Sequence, residues 1–523
     1  MAMSLAMQYR SPTGQLGFAG TVLLLLFSYP ILKAVYNVYF HPLAKVPGPL
    51  TWSATRLPFV WALLRGTIVH DIQKLHRRYG PVLRIGPNEV TFTQPDAWND
   101  IFVPRPGGQQ FLKDPTWWKA QPGMPESLLS AINPDSHARI RKALSPGFTP
   151  RALKGQEPFV QRYVNLLVDR LRETTAKHPE IDIGPWFNFT TFDIFGDLGF
   201  GESFDCLQHS RYHPWIALLF NSVKAASFVA AARYFPLVEF LLMKCIPPSL
   251  RKMQRDHYQQ IVDKVQRRLN YELERPDIMS HVTHQGRAEE QDDGNEVGGL
   301  PIGVINTTFM VLTTAGSETT ATVLSGTMNY LVQNPDVLKL LEDEVRRRFQ
   351  SYSEMTLDAL RDLDFLNAVL HEGLRLCTPV PWMLQRLVPP GGATVSGVWL
   401  PGGTPVSIQA YAMNRDGKYW HLQDSFRPER WLHEASNNPD SPFFGDQRDA
   451  FHPFSLGPRS CLGQHLAWAE LRLIMAKLVW TFDFSLPQDP AKRLAWEDLR
   501  TFLLVEKKPI YVEMKLRPEL QGS

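Results

Sequence analysis

The sequence lacks several signatures that would assign its 523 residues to a common functional class. It contains neither GxGxxG nor a P-loop, so no nucleotide site of its own is expected. Its 55 basic and 52 acidic residues leave a net charge of only +3, which gives no electrostatic reason to expect a nucleic-acid partner. No Ser/Gly-rich linker and no repeat divides the chain. With 44% hydrophobic residues, this composition suits one large core built from many helices.

Cysteine is scarce as well. The four cysteines, Cys206, Cys245, Cys377 and Cys461, lie far apart and form no CxxC pair, so a disulfide framework is not expected. A reducing compartment is the simpler interpretation. Such a compartment would also keep a functional cysteine available as a thiolate.

One uncharged run, residues 16–32 (LGFAGTVLLLLFSYPIL), reaches the lower limit of about 17 residues for a membrane-spanning helix. No small-x-small cleavage site follows it, which favours an anchor over the alternative of a cleaved signal peptide. Basic residues are more frequent after the run than before it, and the positive-inside rule then places the body in the cytosol. We predict a membrane anchor and the start of a Pro-rich hinge over residues 1–45, and a single domain over 46–523.

Helical periodicity dominates the body and predicts a fold that is mainly α with small β-sheets. The predicted helices cover 153–178, 215–244, 251–273, 302–333, 335–350 and 462–481. The predicted strands cover 81–93, 386–398 and 404–408. The acidic, glycine-rich stretch 284–300 is predicted to be a surface loop.

The densest local pattern surrounds Cys461, in the sequence FSLGPRSCLG. Gly457 and Gly463 flank the cysteine where the backbone is expected to bend tightly, and N–H groups in such a turn can donate to a thiolate. Arg459 offers a guanidinium to a heme propionate, and Phe454 would help to keep water from the sulfur. The spacing is what a thiolate ligand of heme iron needs. The alternative is a buried structural cysteine in a loop.

This stretch resembles the heme-binding loop of cytochrome P450 monooxygenases, and the resemblance extends from about Tyr39 to the C-terminus. It implies the P450 fold preceded by one N-terminal transmembrane helix. It implies heme b (iron protoporphyrin IX) as the cofactor, with Cys461 as the axial ligand of the iron. It also implies a single-pass anchor in the endoplasmic-reticulum membrane, with the catalytic domain in the cytosol.

The sequence AGSETT, residues 315–320, lies midway along an apolar helix, where an acid and two threonines are costly unless they have partners or a task. Gly316 weakens the helix and a threonine hydroxyl can bond a backbone carbonyl, so we expect the hydrogen-bond ladder to open there. The resemblance implies that Thr319 and Glu318 are the catalytic residues of oxygen activation, supplying a hydrogen bond and protons. The alternative is a kinked helix whose polar groups are merely satisfied.

Glu372 and Arg375 lie three residues apart and therefore on one face of a helix. Alone this pair says little, because exposed pairs of this kind are common and weak. The resemblance adds Arg430 and implies a buried structural network of these three side chains behind the heme loop.

Heme carries two propionates, so further cations are expected to converge on it. The resemblance assigns this role to Arg141, His137 and Arg386, with His137 at a position where the family commonly has tryptophan. His137 and Arg141 lie four residues apart on one helix face. The alternative is that these side chains are solvated surface charges.

The resemblance also locates a substrate pocket, whose segments are rich in Phe, Trp, Leu and Pro. Such a lining predicts an apolar small molecule held by shape. The predicted lining comprises the loop around 101–130, residues 228–243, Val380, Trp382, Met383, Thr313 and Thr314.

Only 62 residues follow Cys461 (523 − 461), too few for a flavoprotein domain. We therefore expect electrons from NADPH to arrive through a separate protein. The resemblance implies an NADPH–cytochrome P450 reductase, with cytochrome b5 as a further donor.

The favoured function is a membrane-anchored heme-thiolate monooxygenase that inserts one oxygen atom from O2 into an apolar substrate by hydroxylation or epoxidation. The segments YFHPLAKVPGP, AGSETTAT and PFSLGPRSCLG are most similar to filamentous-fungal members of secondary-metabolite pathways. Two alternatives stay open: a P450-type rearrangement or dehydration enzyme that needs no O2, and a heme sensor or carrier without turnover. The intact Glu318–Thr319 pair favours the monooxygenase over both.

Overall fold

A computed structural model describes residues 24, 28–121, 123–271, 277–286, 296–297, 299–382 and 384–520. These residues form many helices and a few small sheets, which confirms the predicted mainly α class. In chain order the helices are α1 (Leu50–Ala54), α2 (Leu57–Arg65), α3 (Ile68–Tyr79), α4 (Asp96–Phe102), α5 (Pro115–Trp118), α6 (Pro134–Leu144), α7 (Pro150–Thr175), α8 (Gly184–Phe200), α9 (Cys206–His209), α10 (Pro214–Arg233), α11 (Pro236–Cys245), α12 (Pro248–Leu269), α13 (Ile278–Gly286), α14 (Ile302–Gln333), α15 (Pro335–Arg348), α16 (Leu357–Arg361), α17 (Asp364–Leu376), α18 (Ala410–Asn414), α19 (His433–Asn437) and α20 (Gln464–Thr481).

The strands are short and form four sheets within the described residues. They are β1 (Val82–Gly86), β2 (Glu89–Phe92), β3 (Leu112–Lys113), β4 (Glu180–Asp182), β5 (Glu296–Val297), β6 (Leu300–Pro301), β7 (Arg386–Leu387), β8 (Ala393–Val395), β9 (Val398–Leu400), β10 (Pro405–Ile408), β11 (Phe482–Ser485) and β12 (Tyr511–Leu516). The largest sheet has the order β1-β2-β10-β7-β3, the second has the order β11-β12-β4, and β5–β6 and β8–β9 form two separate pairs. In the largest sheet β3 is antiparallel to β7, with Lys113 directly opposite Arg386.

Proline explains the main differences between the predicted and observed elements. The predicted helix 215–244 is wrong, because two helices, α10 and α11, occupy this stretch. They are separated at Phe235, which is extended (φ −131°, ψ 92°) immediately before Pro236, as expected for a residue that precedes proline. The predicted strand 386–398 is likewise divided among β7, β8 and the start of β9, after two prolines that follow β7.

Helix α14 runs through the interior and coincides with the predicted helix 302–333. It packs against α8, whose side chains are almost all buried, and the rings of Phe200 and Phe309 lie 5.7 Å apart at this contact. A Cβ added to Gly316 would lie 3.0 Å from the Phe195 ring, so glycine permits the close approach of the two helices. The helix is continuous, so the predicted opening of its hydrogen-bond ladder is wrong.

The predicted membrane span lies largely outside the described residues. Residues 28–35 are helical and continue into a π-helical turn, Tyr36–Phe40. Within the described part of the chain, no helix combines the length and apolar character that crossing a bilayer requires. Most of the predicted loop 284–300 and the pocket residue Met383 also lie outside the described residues.

Candidate active site

Cys461 lies in a compact loop immediately before α20. Its backbone N–H donates to the carbonyl oxygen of Phe454 at 2.8 Å, which closes the segment on itself. Gly457 has a φ of +73°, and a Cβ there would overlap the carbonyl oxygen of Phe102, so only glycine fits. Ser455 adopts a φ of +59°, a conformation that non-glycine residues rarely take and that is concentrated at functional sites.

The Cys461 thiol faces an interior space. Protein atoms surround it closely, yet its side chain retains accessible surface. Burial raises the pKa of the thiol, while the Gly463 backbone N–H and the charge of Arg141 act in the opposite direction. Gly463 itself has an ordinary φ of −85°, so a tight bend does not require glycine there, contrary to the prediction. A Cβ on Gly463 would meet no protein atom within 4 Å, which leaves room for a flat group beside the sulfur.

Four cations and one imidazole converge close to this loop, and the charges that act most strongly on them among the described residues are positive, apart from the Cys461 thiol. They are Lys113, His137, Arg141, Arg386 and Arg459. Burial first, and then four neighbouring cations, lower the pKa of His137 to about 3. Burial and Arg459 lower the pKa of Arg386 to about 9. Like charges placed opposite each other across a sheet, as Lys113 and Arg386 are, destabilise it, so the cluster favours an anionic ligand.

Backbone carbonyls hold these cations in place. Arg141 donates to the Ser460 carbonyl at 2.7 Å. Arg459 donates to the carbonyls of Ala131 and Ile132 at 2.6 and 2.8 Å, and Lys113 donates to the Leu129 carbonyl. Carbonyl oxygens orient the side chains without neutralising them. The set of one thiol, a space beside it and several fixed, uncompensated cations therefore fits heme b with its two propionates.

Lys113 is a residue that the sequence analysis missed. It is buried in the two-residue strand β3, within no recognisable motif. The pairing of β3 with β7 brings Lys113 next to Arg386. The local sequence around Lys113 does not predict this long-range pairing.

The two predicted catalytic residues point to different sides of α14. Ala315 is exposed and Thr319 is half-buried although they lie on an interior helix, so the face that they share lines an interior space. The Thr319 hydroxyl donates to the Ala315 carbonyl at 2.6 Å. Glu318 is instead buried, and its Oε1 lies 2.9 Å from the Nζ of Lys507. Burial raises the pKa of Glu318, and Lys507 opposes this rise.

A second buried carboxyl, also missed from the sequence, contacts the same motif. Glu470 on α20 is fully buried and hydrogen-bonds the hydroxyl of Thr320. Burial raises the pKa of Glu470 well above its usual value, and the Thr320 contact offsets only part of the rise. Burial therefore favours the neutral form of Glu470.

The predicted pocket residues divide into two groups. Thr313 and Trp382 have almost no accessible surface and are packed in the core, contrary to the expectation that they line a pocket. The Trp382 indole donates to the Phe502 carbonyl at 2.9 Å and its ring lies 5.1 Å from that of Trp117. Thr314 and Val380 retain some accessible surface.

Glu372, Arg375 and Arg430 form one fully buried network. Arg375 binds both carboxylate oxygens of Glu372, at 2.7 and 2.8 Å, and Arg430 reaches the same carboxylate at 3.2 Å. The Trp431 indole and the Arg427 N–H each donate to it at 2.9 Å. Although burial alone would raise the pKa of Glu372, the two arginines hold it below its usual value. The carboxylate therefore joins α17 to the segment that precedes the Cys461 loop.

Comparison with known proteins decides the family. The family model for cytochrome P450 matches residues 51–514. The chain belongs to the cytochrome P450 family. It is 39% identical over 503 residues to the cytochrome P450 monooxygenase lcsI of Purpureocillium lilacinum, which covers 95% of this chain and 94% of that protein.

Two further relatives of this P450 are also fungal. It is 39% identical to the cytochrome P450 monooxygenase astA of Talaromyces wortmannii, over 95% of this chain and 97% of that protein. It is 38% identical to averantin hydroxylase of Dothistroma septosporum, over 95% of this chain and 91% of that protein. These similarities confirm the predicted heme monooxygenase class and the predicted affinity to fungal enzymes of secondary metabolism.

The Glu372 network leads to a test of its structural role. Replacing Glu372 by alanine leaves Arg375 buried without its counterion, whereas Arg430 keeps its ion pair with Asp446; breaking such a buried pair commonly costs about 3–5 kcal/mol. We therefore expect Glu372→Ala to unfold at a lower temperature and to be purified with little heme, as measured by calorimetry and the heme-to-protein ratio. Glu173→Ala is the matched control, because Glu173 pairs with Arg170 at the same spacing and at 2.8 Å but on the surface. Normal heme content in Glu372→Ala would contradict the assignment.

Proposed function

We propose that this P450 hydroxylates an apolar small molecule of fungal secondary metabolism. The observation that carries the proposal is the Cys461 thiol at the wall of an interior space, beside a cluster of cations on which mainly positive charges of the described residues act. One relative is a hydroxylase by name, which favours hydroxylation over epoxidation. Bound heme would supply the activation of O2 and the transfer of one oxygen atom to the substrate.

The residues of this chain would have separate roles in binding the heme and in supplying protons. Cys461 would ligate the iron, with the Gly463 N–H tuning the donor strength of its sulfur. The cation cluster would neutralise the propionates and fix the orientation of the ring. Thr319 presents a hydroxyl on the accessible face of α14 and would hold a hydrogen bond there. Glu318 would supply protons from the other side of the helix.

The heme-thiolate assignment is tested by the ferrous–carbon monoxide difference spectrum of the full chain. We expect a strongly red-shifted Soret band in the wild type that is absent in Cys461→Ser, because only a thiolate ligand produces it. Cys377→Ser is the control, since Cys377 is buried elsewhere in the core. The wild type should then form hydroxylated product only with NADPH, O2 and a reductase. An unchanged spectrum in Cys461→Ser, or product without NADPH, would overturn the proposal.

We further infer that the electron donor is an NADPH–cytochrome P450 reductase, with cytochrome b5 as a second donor. A basic surface cleft beside the Cys461 loop supports this inference. Three cations, Arg141, Lys142 and Arg459, and one carboxylate, Asp135, line it and leave it net positive, and Lys142 is exposed. A donor with an acidic surface would be attracted to such a cleft and placed close to the heme edge.

Charge reversal in this cleft tests the docking site. Lys142→Glu should slow flavin-to-heme electron transfer roughly tenfold at low salt, because steering by surface charge typically changes association by that order. It should also weaken the dependence of the rate on salt. Both effects are measured by stopped-flow reduction under carbon monoxide. Lys74→Glu on α3, outside the cleft, is the control. Equal rates and equal salt dependence in both variants would contradict the docking site.

We also propose that the enzyme is anchored in the endoplasmic-reticulum membrane, with its body in the cytosol. Besides the uncharged run 16–32, a second apolar surface supports this. Helix α11 exposes five large hydrophobic side chains, and α2 exposes three. Helix α10, which leads into α11, packs against α2, and the Arg56 guanidinium before α2 lies 4.5 Å from the centroid of the Tyr234 ring just before α11. The exposed side chains are Leu237, Val238, Phe240, Leu241, Leu242, Leu57, Trp61 and Leu64. Such a patch suits contact with a lipid surface.

The rate at which Cys245 is labelled tests contact with the membrane, because this cysteine is exposed at the end of α11. We expect a water-soluble maleimide to label Cys245 slowly in vesicle-bound wild type and rapidly after detergent is added. Leu237→Ser/Phe240→Ser should restore rapid labelling on vesicles, whereas Leu340→Ser, an exposed leucine on α15, should not. Rapid labelling in the vesicle-bound wild type would contradict membrane contact. Protection of the body from protease added to sealed microsomes would contradict the cytosolic orientation.

A further inference from the structure

Lys507 forms a buried ion pair with Glu318 that the sequence analysis did not foresee. The side chains of Glu318 and Lys507 are only 7% and 13% exposed, and the atoms Oε1 and Nζ lie 2.9 Å apart. Lys507 comes from the segment that leads into β12, far along the chain from α14. This pair is therefore a specific tertiary contact between the oxygen-activation motif and the C-terminal sheet.

The surroundings of Lys507 fix its position. Its Nζ also donates to Oδ1 of Asn188 on α8 at 2.9 Å, and the amide of Asn188 donates to the hydroxyl of Tyr212 at 3.0 Å. Burial raises the pKa of Asp182 on β4, and the charge of Lys507 opposes this rise. The charge of Glu318 adds to the effect of burial in raising the pKa of Tyr212. Among the described residues, the ionisable groups whose charges interact with Glu318 are the Lys507 cation and the Tyr212 phenol, whose pKa is raised above all by burial.

The two oxygens of Glu318 are in different situations. Oε1 is held by Lys507, whereas Oε2 is buried and accepts no hydrogen bond from the described residues. A carboxylate with one bound and one unbound oxygen keeps a defined orientation and a site that can take up a proton. Lys507 is the cation that offsets the burial of this carboxyl.

Resting on the proposed function, we propose that Lys507 is a positioning residue for proton delivery: it holds Glu318 by one oxygen, as a carboxylate, and leaves the other oxygen free to accept a proton. In each cycle Glu318 takes up one proton from solvent and releases it towards the Thr319 side of α14. The charge of Glu318 then returns to −1, so the residue is not consumed.

Infrared spectroscopy of the full-length holoenzyme tests this without turnover. Removing the Lys507 charge leaves only burial acting on Glu318, which raises the pKa of its carboxyl further. Below that raised pKa Glu318 is neutral. Lys507→Met should therefore show, at neutral pH, an additional carbonyl band of a protonated carboxylic acid, beyond any band that Glu470 gives in every variant, and this additional band should vanish in Lys507→Met/Glu318→Gln. Wild type, Lys507→Arg and Lys508→Met should lack the additional band, the last because Lys508 is an exposed neighbour.

Turnover supplies the second measurement. Product formed per NADPH should fall roughly tenfold in Lys507→Met at neutral pH, given the usual size of general acid–base effects, with little change in KM. It should recover as pH rises and Glu318 regains its charge. Lys507→Arg should retain most of the coupling, and Lys508→Met should match the wild type.

The outcomes separate the two proposals. If Lys507→Met does not fold, Lys507→Gln keeps a hydrogen-bond donor without the charge and makes the same prediction. A Lys507→Met or Lys507→Gln protein that matches Lys508→Met in both band and coupling overturns the role of Lys507. A wild type without the red-shifted Soret band overturns the proposed function, while the infrared comparison still decides whether Lys507 sets the charge of Glu318.

Discussion

Uncompensated positive charge is the constraint on which this architecture depends. Lys113 and Arg386 are fixed opposite each other by strand register, while Arg141 and Arg459 are fixed by backbone carbonyls. Among the described residues, the charges that act most strongly on Lys113 and Arg386 are positive, and Asp135 is the one carboxylate in the cleft beside Arg141 and Arg459. Such an arrangement lowers the stability of the protein alone. It becomes favourable when a dianionic group is bound, so heme binding and folding should be coupled, as they are for other tightly bound groups.

The Glu372 network shows the opposite arrangement of buried charge. There one carboxylate accepts from two arginines, an indole and a backbone N–H, so almost every polar atom is satisfied. A buried network in which the polar groups are hydrogen-bonded is rigid and specifies one arrangement of its side chains. The protein thus contains one set of paired buried charges, which joins α17 to the segment before the heme loop. It also contains a cluster of cations that an anionic ligand would neutralise. Arg386 follows Arg375 and Arg459 follows Arg430 along the chain, so the rigidity of the first set helps to fix the positions of these two arginines.

Features that depend on residues close together in the sequence could be predicted, whereas features that depend on contacts between distant parts of the chain could not. Helix 302–333 was predicted correctly because an apolar run specifies a buried helix locally, and the Cys461 loop was found because its residues are contiguous. The helix predicted over 215–244 failed at Pro236, where a single residue outweighs a periodic pattern. Lys113, Glu470 and Lys507 were missed because each acquires its role through a contact with a distant part of the chain.

Helix α14 separates two environments around one motif. Ala315 and Thr319 lie on its accessible face, whereas Glu318 points to the C-terminal sheet and Thr320 contacts Glu470 on α20. Burial acts on both carboxyls, but only Glu318 has a cation beside it. Burial raises the pKa of Glu470 with only the Thr320 contact to oppose it, whereas the charge of Lys507 opposes the rise in the pKa of Glu318. A pair of carboxyls made unequal by their surroundings is the usual basis for dividing acid and base roles, and here Lys507 creates the inequality.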